Sequence, residues 1–378
     1  GENGEMDGVA GWHVDDGLLT GNERFWKAMD EVAKTLKFGT KKEKDFKFCG
    51  VRVRQDSSFN VTLDQEHMID GIDDIPIARG RPDEDPLSPA EVTSMRGRLG
   101  SLLYVVGNTR PFESYAVSHL ASYVTSATVF HAKMVNKVIA QAKNTKHVHI
   151  VYTAGSACDV LLTYADSNFK KEREAGSQIG MVQFVGPTPD VYGNINGVSI
   201  LRWSSTRARR VCHSTLASET LAQTLGLDFH CGLRSRMEEF GFRPEGALLT
   251  DCRSLFDHIY SMISKTAEVL VPDFQELREA CMPWRWALSE DFTDQWVEIW
   301  WVDTRNQLAD NLTKLITPST DYFREVLTTR KLSLSRPNTL PFLRPRPPQR
   351  APRRHSRRCI GSKQIWPRSW SKCSRSAT

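Results

Sequence analysis

Apolar side chains recur at helical spacing in some segments of the chain and form short strand-like runs in others. In residues 23–37, apolar side chains recur at helical spacing, which predicts a helix. Residues 46–53, FKFCGVRV, have the composition of a strand, residues 61–63 can pair with it, and a helix is expected to begin near Met68. Residues 76–89 contain four prolines and mixed charges, which predicts a loop or hinge.

Three helices are predicted after this loop. Ser88 is a suitable N-cap, and Glu91 follows it at the third position, which is the capping-box pattern. The first helix continues through VTSMRGRLGSLLYVVG, the second covers FESYAVSHLASYV, and the third spans about residues 129–143. Residues 76–147 are therefore expected to form a hinge and a helical segment.

The pattern changes again between Val148 and about Ile316. VHIVYT, VLLTYAD, QIGMVQFV and SILRWSS are predicted to be successive strands, and a long helix follows over residues 214–239. Further on, ALLTDC and WVEIWWVDT are predicted strands, and RSLFDHIYSMI, PDFQELREACMPW and NQLADNLTKLI are predicted helices. This order predicts an α/β (α+β) fold, with a mixed sheet flanked by helices.

The composition shifts at Lys331. Residues 331–378 hold 13 of the 50 Lys and Arg residues, no Asp or Glu, and seven of the 18 prolines. The net charge of +5 comes entirely from this segment, because the rest of the chain has 37 basic and 45 acidic residues. We expect a disordered basic tail. Such a tail can bind nucleic acid non-specifically through counterion release, or it can be read-through sequence without a role.

Composition also excludes several classes of protein. No apolar run approaches the roughly 20 residues needed to span a bilayer. None of the eight cysteines forms a CxxC pair, so neither a zinc site nor a disulfide framework is indicated. The acidic first residues lack a signal peptide and an initiator Met, which suggests a fragment of a longer protein. We expect an intracellular location, in a cytoplasmic particle or the nucleus, without secretion or membrane association.

Four acidic residues stand at the start or edge of predicted elements: Asp166, Glu219, Asp251 and Asp310. Each alone has a simpler explanation, as a turn residue, a helix cap or a solvated helix residue. Together they form a set of carboxylates without His or Cys, which is the ligand set that Mg²⁺ prefers. Two such ions can hydrolyse a phosphodiester. We therefore predict that the four acids converge on divalent metal.

A second pair of acids, Asp15 and Asp16, lies in the sequence HVDDG near the start of the chain. Asp followed by Gly17 is typical of a tight hairpin turn, so strand, turn and strand are predicted here. A plain hairpin explains these residues. The alternative is that the turn carries two carboxylates, with Asp15 facing a metal ion.

Several strings in this order resemble copia-type retrotransposon polyproteins. TYADSNF, ILRWSSTRARRV, STLASETLAQ, LLTDCRSL and TRNQLADNLTK are similar to the ribonuclease H domain of that family. HVDDGLLTG, FKFCGVRV and MRGRLGSLLYVVGNTRP resemble the end of its reverse transcriptase. The resemblance covers about residues 8–330. It implies a partial reverse-transcriptase palm over residues 1–75, a hinge with helical thumb or connection over 76–147, and a ribonuclease H-like domain over 148–330.

The resemblance also implies roles for individual residues. Asp166, Glu219, Asp251 and Asp310 would be the catalytic, metal-binding acids of a ribonuclease H that uses Mg²⁺ or Mn²⁺ to cut RNA in RNA–DNA hybrids. Asp15 and Asp16 would be the paired, metal-binding polymerase aspartates. The nucleic-acid contacts would include Asn306, which fits the family's Asn-x-x-Ala-Asp pattern, and a phosphate track of Arg96, Arg98 and Arg110. A solvated helix face explains the three arginines equally well.

The chain departs from the family pattern in three places. The 14 residues before Asp15 cannot hold the further palm Asp and the fingers, so we expect no DNA polymerase activity. Ala217 stands where the family often has a second Glu, and no His lies near Trp300 and Trp301, where cellular enzymes carry a His-bearing loop before the last Asp. Activity is therefore expected to be weak. The alternative is a decayed, non-catalytic fragment that binds nucleic acid.

Overall fold

The computed structural model describes residues 6–169, 176–190, 192–260, 271–281, 297–315, 320–334 and 368–371. Their strands are β1 (Gly8–His13), β2 (Asp16–Gly21), β3 (Lys41–Glu43), β4 (Asp45–Phe48), β5 (Val51–Gln55), β6 (Val61–Asp64), β7 (Ile150–Tyr152), β8 (Val160–Asn168), β9 (Gln178–Gly186), β10 (Asn194–Asn196), β11 (Ser199–Arg207), β12 (Glu245–Thr250), β13 (Val297–Trp301), β14 (Lys331–Ser333) and β15 (Arg368–Ser371).

The α-helices of the described residues are α1 (Glu23–Thr35), α2 (Glu66–Asp70), α3 (Pro89–Asn108), α4 (Ser114–Ala121), α5 (Val129–Asn144), α6 (Thr215–Glu239), α7 (Arg253–Tyr260), α8 (Val271–Cys281) and α9 (Thr320–Thr329). Short 3₁₀ turns cover Pro111–Glu113, Val124–Ser126, Thr304–Asn306 and Leu308–Leu312. The predicted helix over NQLADNLTKLI is therefore replaced by the last two of these turns. No helix in the described ranges is both long enough and apolar enough to cross a membrane.

A five-stranded sheet in the order β11-β9-β8-β12-β13 is the centre of the fold. Strands β8, β9 and β11 pair antiparallel, whereas β12 runs parallel to both β8 and β13. Nearly every residue of β8 and β9 is buried, because helices cover both faces of the sheet. This mixed sheet flanked by helices confirms the predicted α/β (α+β) class.

The alternation of side chains along β12 shows how the two faces of the sheet are filled. Ala247 and Leu249 point into a core shared with α9 and the Leu308–Leu312 turn. Leu248, between them, points into a second core that it shares with α6, α7 and α8. Both faces are apolar because successive side chains of a strand point to opposite sides. Strand β12 is buried on both faces, and its sequence therefore contains the uninterrupted apolar run Ala247-Leu248-Leu249.

The helical segment forms a core of its own and also packs against the sheet. The predicted capping box is present: Ser88 Oγ accepts from Glu91 N at 3.3 Å, and Glu91 Oε2 accepts from Ser88 N at 2.8 Å. Trp203 Nε1 on β11 donates to Val106 O on α3 at 2.7 Å, and Gln178 Nε2 on β9 lies 3.2 Å from Ser118 Oγ on α4. The helices therefore contact the five-stranded sheet directly.

The N-terminal region contains two hairpins. In β1–β2, His13 pairs with Asp16, so the turn residues are Val14 and Asp15, and Gly17 lies within β2. The predicted hairpin is confirmed, but its turn lies two residues earlier than the Asp-Gly pattern indicated. The predicted single strand FKFCGVRV is wrong, because Cys49 and Gly50 have φ values of 46° and 71° and reverse the chain between β4 and β5.

The strand VHIVYT does not join the sheet that carries Asp166. Instead, β7 pairs with β6 at the edge of a second sheet, in the order β4-β5-β6-β7. Leu63 lies opposite Ile150 in this pairing. The five-stranded sheet thus begins at Val160, and the predicted domain boundary at residue 148 falls within a segment that completes the preceding sheet.

The folded region also extends past the predicted start of the tail. Strand β14 pairs with β10, and Leu332 and Leu334 are buried in the core beside α9. The prediction of disorder is therefore wrong for residues 331–334, because their alternating Leu side chains fill the edge of that core. Strand β15 lies between β2 and β3 in a third sheet, with the order β1-β2-β15-β3. Residues 335–367 and 372–378 of the predicted tail lie outside the described residues.

Candidate active site

The site forms where two parallel strands separate. Strands β8 and β12 pair up to Tyr164 and Leu249, and the next residues are no longer paired. The side chain of Gln223 on α6 fills the gap: its Nε2 donates to Ala165 O at 3.1 Å and to Leu249 O at 3.0 Å. One buried amide thus replaces the next strand-to-strand hydrogen bond and holds the two strand ends apart.

Three of the predicted acids surround this opening. Asp166 lies on β8 just beyond the last pair and is 2% exposed, and Asp251 directly follows β12. Carboxyl ends of neighbouring parallel strands meet at the same edge of a sheet, which is why the two acids lie together. Glu219 is 6% exposed and precedes Gln223 by one helical turn, so both side chains point from α6 towards the same edge.

The fourth acid, Asp310, reaches the site from the Leu308–Leu312 turn and is 1% exposed. This turn can approach the sheet because β9 has Gly180 at the contact point. A Cβ atom at Gly180 would lie 2.7 Å from Ala309 O and 2.7 Å from Leu312 Cβ. The absence of a side chain on β9 therefore sets the position of Asp310.

The acids act on one another electrostatically. Burial, followed by the charge of Asp310, raises the pKa of Asp166 well above its usual value. Burial, followed by the charges of Asp166 and Asp251, does the same to the pKa of Glu219. The pKa of Asp251 is also raised, mainly by burial. The charges of Asp166, Asp251 and Asp310 thus act on neighbouring carboxyl groups of the site.

Polar side chains from residues 307–314 contact this cluster. Thr313 Oγ1 donates to Asp166 Oδ2, and Gln307 Nε2 lies 3.5 Å from Asp251 Oδ1. Lys314 Nζ lies 2.6 Å from Asp310 Oδ1 and 3.9 Å from Asp166 Oδ2. Sequence reasoning missed all three residues and Gln223. The only available signal was the spacing of Lys314, four residues after Asp310.

The chemistry of the site fits a divalent cation. Its donors are carboxylate oxygens, which suit Mg²⁺. Among the described residues, Glu219 Oε2 is buried and has no hydrogen-bond partner, so one oxygen can accept a further ligand. In the described parts of the chain, no three Asp, Glu, His or Cys side chains are close enough together to hold one ion as placed. The ammonium group of Lys314 instead contacts two of the four acids.

The other predicted residues lie elsewhere. Asp15 is exposed and Asp16 half-buried in the β1–β2 hairpin, which belongs to a different sheet from Asp166. Burial, together with the charge of Asp16, raises the pKa of Cys49 in the β4–β5 turn. Asn306 is half-buried in the Thr304–Asn306 turn.

The predicted arginine track is not continuous. Arg96 is exposed on α3, and Arg98 Nε donates to Asp73 O at 3.2 Å. Arg110 is only 1% exposed, and its guanidinium donates to Glu113 at 2.8 and 2.6 Å. The prediction of a phosphate contact is therefore wrong for Arg110, because its charge is buried and already paired.

One of the comparisons with known proteins, a sequence match to a Pol polyprotein, agrees with the resemblance seen in the sequence. No protein-family model matches the chain. The N-terminal RNase H domain of a Mycobacterium tuberculosis protein, solved as a fusion with maltose-binding protein, is 15% identical, with a TM-score of 0.28, covering 46% of this chain and 98% of that one.

A retrovirus-related Pol polyprotein from transposon RE1 of Arabidopsis thaliana is 22% identical over 222 residues, which is 55% of this chain. The chain spans 14% of the length of that polyprotein. The chain is therefore similar in sequence to a short part of a retrotransposon-derived Pol polyprotein.

Proposed function

We propose that the chain derives from a copia-type retrotransposon and that its ribonuclease H-like domain cleaves the RNA strand of RNA–DNA hybrids. Asp166, Glu219, Asp251 and Asp310 would hold Mg²⁺ or Mn²⁺. One observation supports this proposal: four buried or half-buried carboxyl groups from four separate elements lie around the point where β8 and β12 separate, and their charges act on one another. Such a concentration of like charge is unfavourable in a fold unless a cation compensates it.

The surrounding residues support this chemistry. When bound, two divalent ions supply an activated water and stabilise the leaving oxygen. Thr313 fixes the orientation of Asp166 through its hydroxyl hydrogen bond, and Gln307 contacts Asp251. Gln223 bridges Ala165 O and Leu249 O, so the two strand ends separate next to Asp166 and Asp251.

Substrate contacts outside the acids are part of the same proposal. Arg96 and Arg98 on α3 would contact backbone phosphates of the hybrid, and Asn306 would contact it near the acids. Each phosphate contact contributes to a linear dependence of log affinity on log salt concentration. The β1–β2 hairpin with Asp15 and Asp16 would be the remnant of a reverse-transcriptase palm, and α3 to α5 the helical connection to the nuclease.

The experiment uses the full chain and a hybrid whose RNA strand carries a 5′ label. Cleavage of this strand is expected with Mg²⁺ or Mn²⁺, and not with EDTA. Asp166→Asn should abolish cleavage. Asp257→Asn is the matched control, because Asp257 is an exposed acid on α7 that pairs with Arg253 at 2.9 Å; it should cut like the wild type.

The same assay separates the proposal from the alternative of a decayed binding fragment. Hybrid affinity is measured in parallel by a filter-binding titration at two salt concentrations. If the wild type and Asp166→Asn bind the hybrid equally and neither cuts it with either metal, the nuclease proposal is wrong. The chain then acts as a nucleic-acid-binding module.

A further inference from the structure

Lys314 places a positive charge inside the cluster of acids. Its Nζ forms a hydrogen bond of 2.6 Å with Asp310 Oδ1 and lies 3.9 Å from Asp166 Oδ2. Both carboxylates are almost fully buried, with side-chain exposures of 2% and 3%. An ammonium group at these distances compensates part of the cluster's negative charge.

The backbone holds Lys314 in this position. Lys314 N donates to Asp310 O at 3.0 Å, so the two residues are one turn apart on the same side of the segment. The adjacent Thr313 donates from its hydroxyl to Asp166 Oδ2. Two consecutive residues, Thr313 and Lys314, therefore contact two different acids. The Lys314 contact accompanies the Thr313 hydrogen bond that connects residues 310–314 to β8.

The side chain of Lys314 can nevertheless leave the acids. It is 40% exposed, and its long, flexible stem reaches the cluster from the solvent side. Displacement of the ammonium would free Asp310 Oδ1 while the backbone turn, the Thr313 hydroxyl and the rest of the segment stay in place. The oxygens that Lys314 contacts belong to two of the four proposed metal ligands.

We infer that Lys314 is a displaceable counter-cation that competes with divalent metal for Asp166 and Asp310 and thereby sets the metal affinity of the site. This inference rests on the proposed function only in placing the metal at these acids. Without metal, Lys314 neutralises the pair. When metal binds, the ammonium leaves Asp310 Oδ1. The ammonium and the metal ion would compete for the same lone pair of this oxygen, and their positive charges repel each other.

The test measures Mn²⁺ binding to the full chain, without nucleic acid, from the electron paramagnetic resonance signal of free Mn²⁺. Lys314→Met removes the charge, and Lys314→Gln removes it but keeps an amide donor for Asp310. A neighbouring charge shifts the affinity of a carboxylate for a proton by about one to three log units, so both variants should bind Mn²⁺ about tenfold more tightly or better. Lys314→Arg keeps the charge and should bind no more tightly than the wild type.

Lys146→Met is the matched control. Lys146 Nζ lies 2.8 Å from Asp70, and its side chain is 38% exposed, so it forms a lysine–carboxylate pair of similar geometry on another surface. This variant should leave Mn²⁺ affinity unchanged. Circular dichroism in EDTA verifies that each variant is folded before metal is added.

The outcomes separate the inference from the proposed function. Equal or weaker Mn²⁺ binding by Lys314→Met and Lys314→Gln overturns the inference, because the lysine would then support the site rather than compete for it. Absence of Mn²⁺ binding in every variant overturns it as well. Tighter binding by both variants without cleavage of the hybrid supports the inference, while the proposed nuclease function fails on its own assay.

Discussion

Asp166 and Gly180 lie directly opposite each other across the antiparallel pair β8–β9. Asp166 contributes a carboxylate to the site, whereas Gly180 contributes the space into which the Leu308–Leu312 turn packs. A Cβ atom at Gly180 would approach Ala309 O and Leu312 Cβ to 2.7 Å. Two facing residues on neighbouring strands therefore determine the position of one acid and the approach of a second, Asp310.

Gly180→Ala should therefore move Asp310 away from Asp166. Overpacking in a buried contact costs about 1–3 kcal/mol, so we expect a corresponding loss in the free energy of unfolding, measured by urea denaturation, together with lower cleavage activity. Gly97→Ala is the control, because a Cβ on this α3 residue meets nothing within 4 Å. It should stabilise the protein by up to about 1 kcal/mol through helix propensity. Wild-type stability of Gly180→Ala would show that the turn has room to shift.

Gln223→Met tests whether the amide keeps the strands apart. Methionine has a similar shape but cannot donate to Ala165 O or Leu249 O. Ala165 O keeps a second donor, Gln307 Nε2 at 3.2 Å, whereas Leu249 O loses the amide. An unsatisfied buried group costs about 1–3 kcal/mol, so we expect a loss of that order in urea unfolding, and reduced cleavage. Gln275→Met on the exposed face of α8 should change neither quantity. A stable and fully active Gln223→Met protein contradicts the role assigned to this amide.

Arg110→Met tests the buried ion pair in the helical segment. The substitution leaves the carboxylate of Glu113 buried without its partner, which should cost about 3–5 kcal/mol in the free energy of unfolding. The double variant Arg110→Met/Glu113→Leu should recover most of that loss, because it removes both charges. Arg96→Met, on the exposed face of α3, should stay within about 0.5 kcal/mol of the wild type. If the Arg110→Met protein has normal stability but binds the hybrid more weakly, Arg110 contacts phosphate and the assigned role in a stabilising ion pair is wrong.

The fold class, and the positions of three of the acids at the ends or starts of elements, could be predicted because their signals are local. Asp166 and Asp251 follow apolar strands, and Glu219 lies in the first turns of a helix with an N-cap at Ser214. The order of strands and helices then determines which strand ends lie at the same edge of the sheet. Carboxylates at those strand ends can therefore be picked out from the sequence alone, without their distances.

The missed features depend on contacts between distant parts of the chain. Gln223 acts on two carbonyl groups from different strands, and nothing in its own segment distinguishes it from a solvated helix residue. Strand β7 pairs with β6, about 90 residues earlier, rather than with β8, which follows it. The reversal at Cys49 requires a positive φ that its residue type does not indicate. Tertiary packing, not local preference, determines each of these features.

His230 on α6 is buried in a polar network beneath the sheet. Gln183 Nε2 donates to Thr163 Oγ1 at 3.0 Å, and Thr163 Oγ1 shares a hydrogen bond of 2.9 Å with His230 Nδ1. Burial, followed by the nearby charge of Arg234, lowers the pKa of His230 from 6.5 to about 3. The folded protein therefore keeps this ring neutral at a pH at which the unfolded chain protonates it.

This difference predicts that acid destabilises the fold through His230. The unfolded state binds one more proton between pH 6.5 and about 3, so stability falls as the pH drops through that window. At about 1.4 kcal/mol per pH unit, the loss between pH 7.5 and 5 should be about 2 kcal/mol. His230→Asn keeps a hydrogen-bonding partner for Thr163 but cannot titrate, and it leaves the acid cluster unchanged. Urea unfolding in EDTA should therefore show a stability difference between wild type and His230→Asn that narrows or reverses towards pH 5. A difference that stays constant with pH means that His230 is protonated in the folded state as readily as in the unfolded chain.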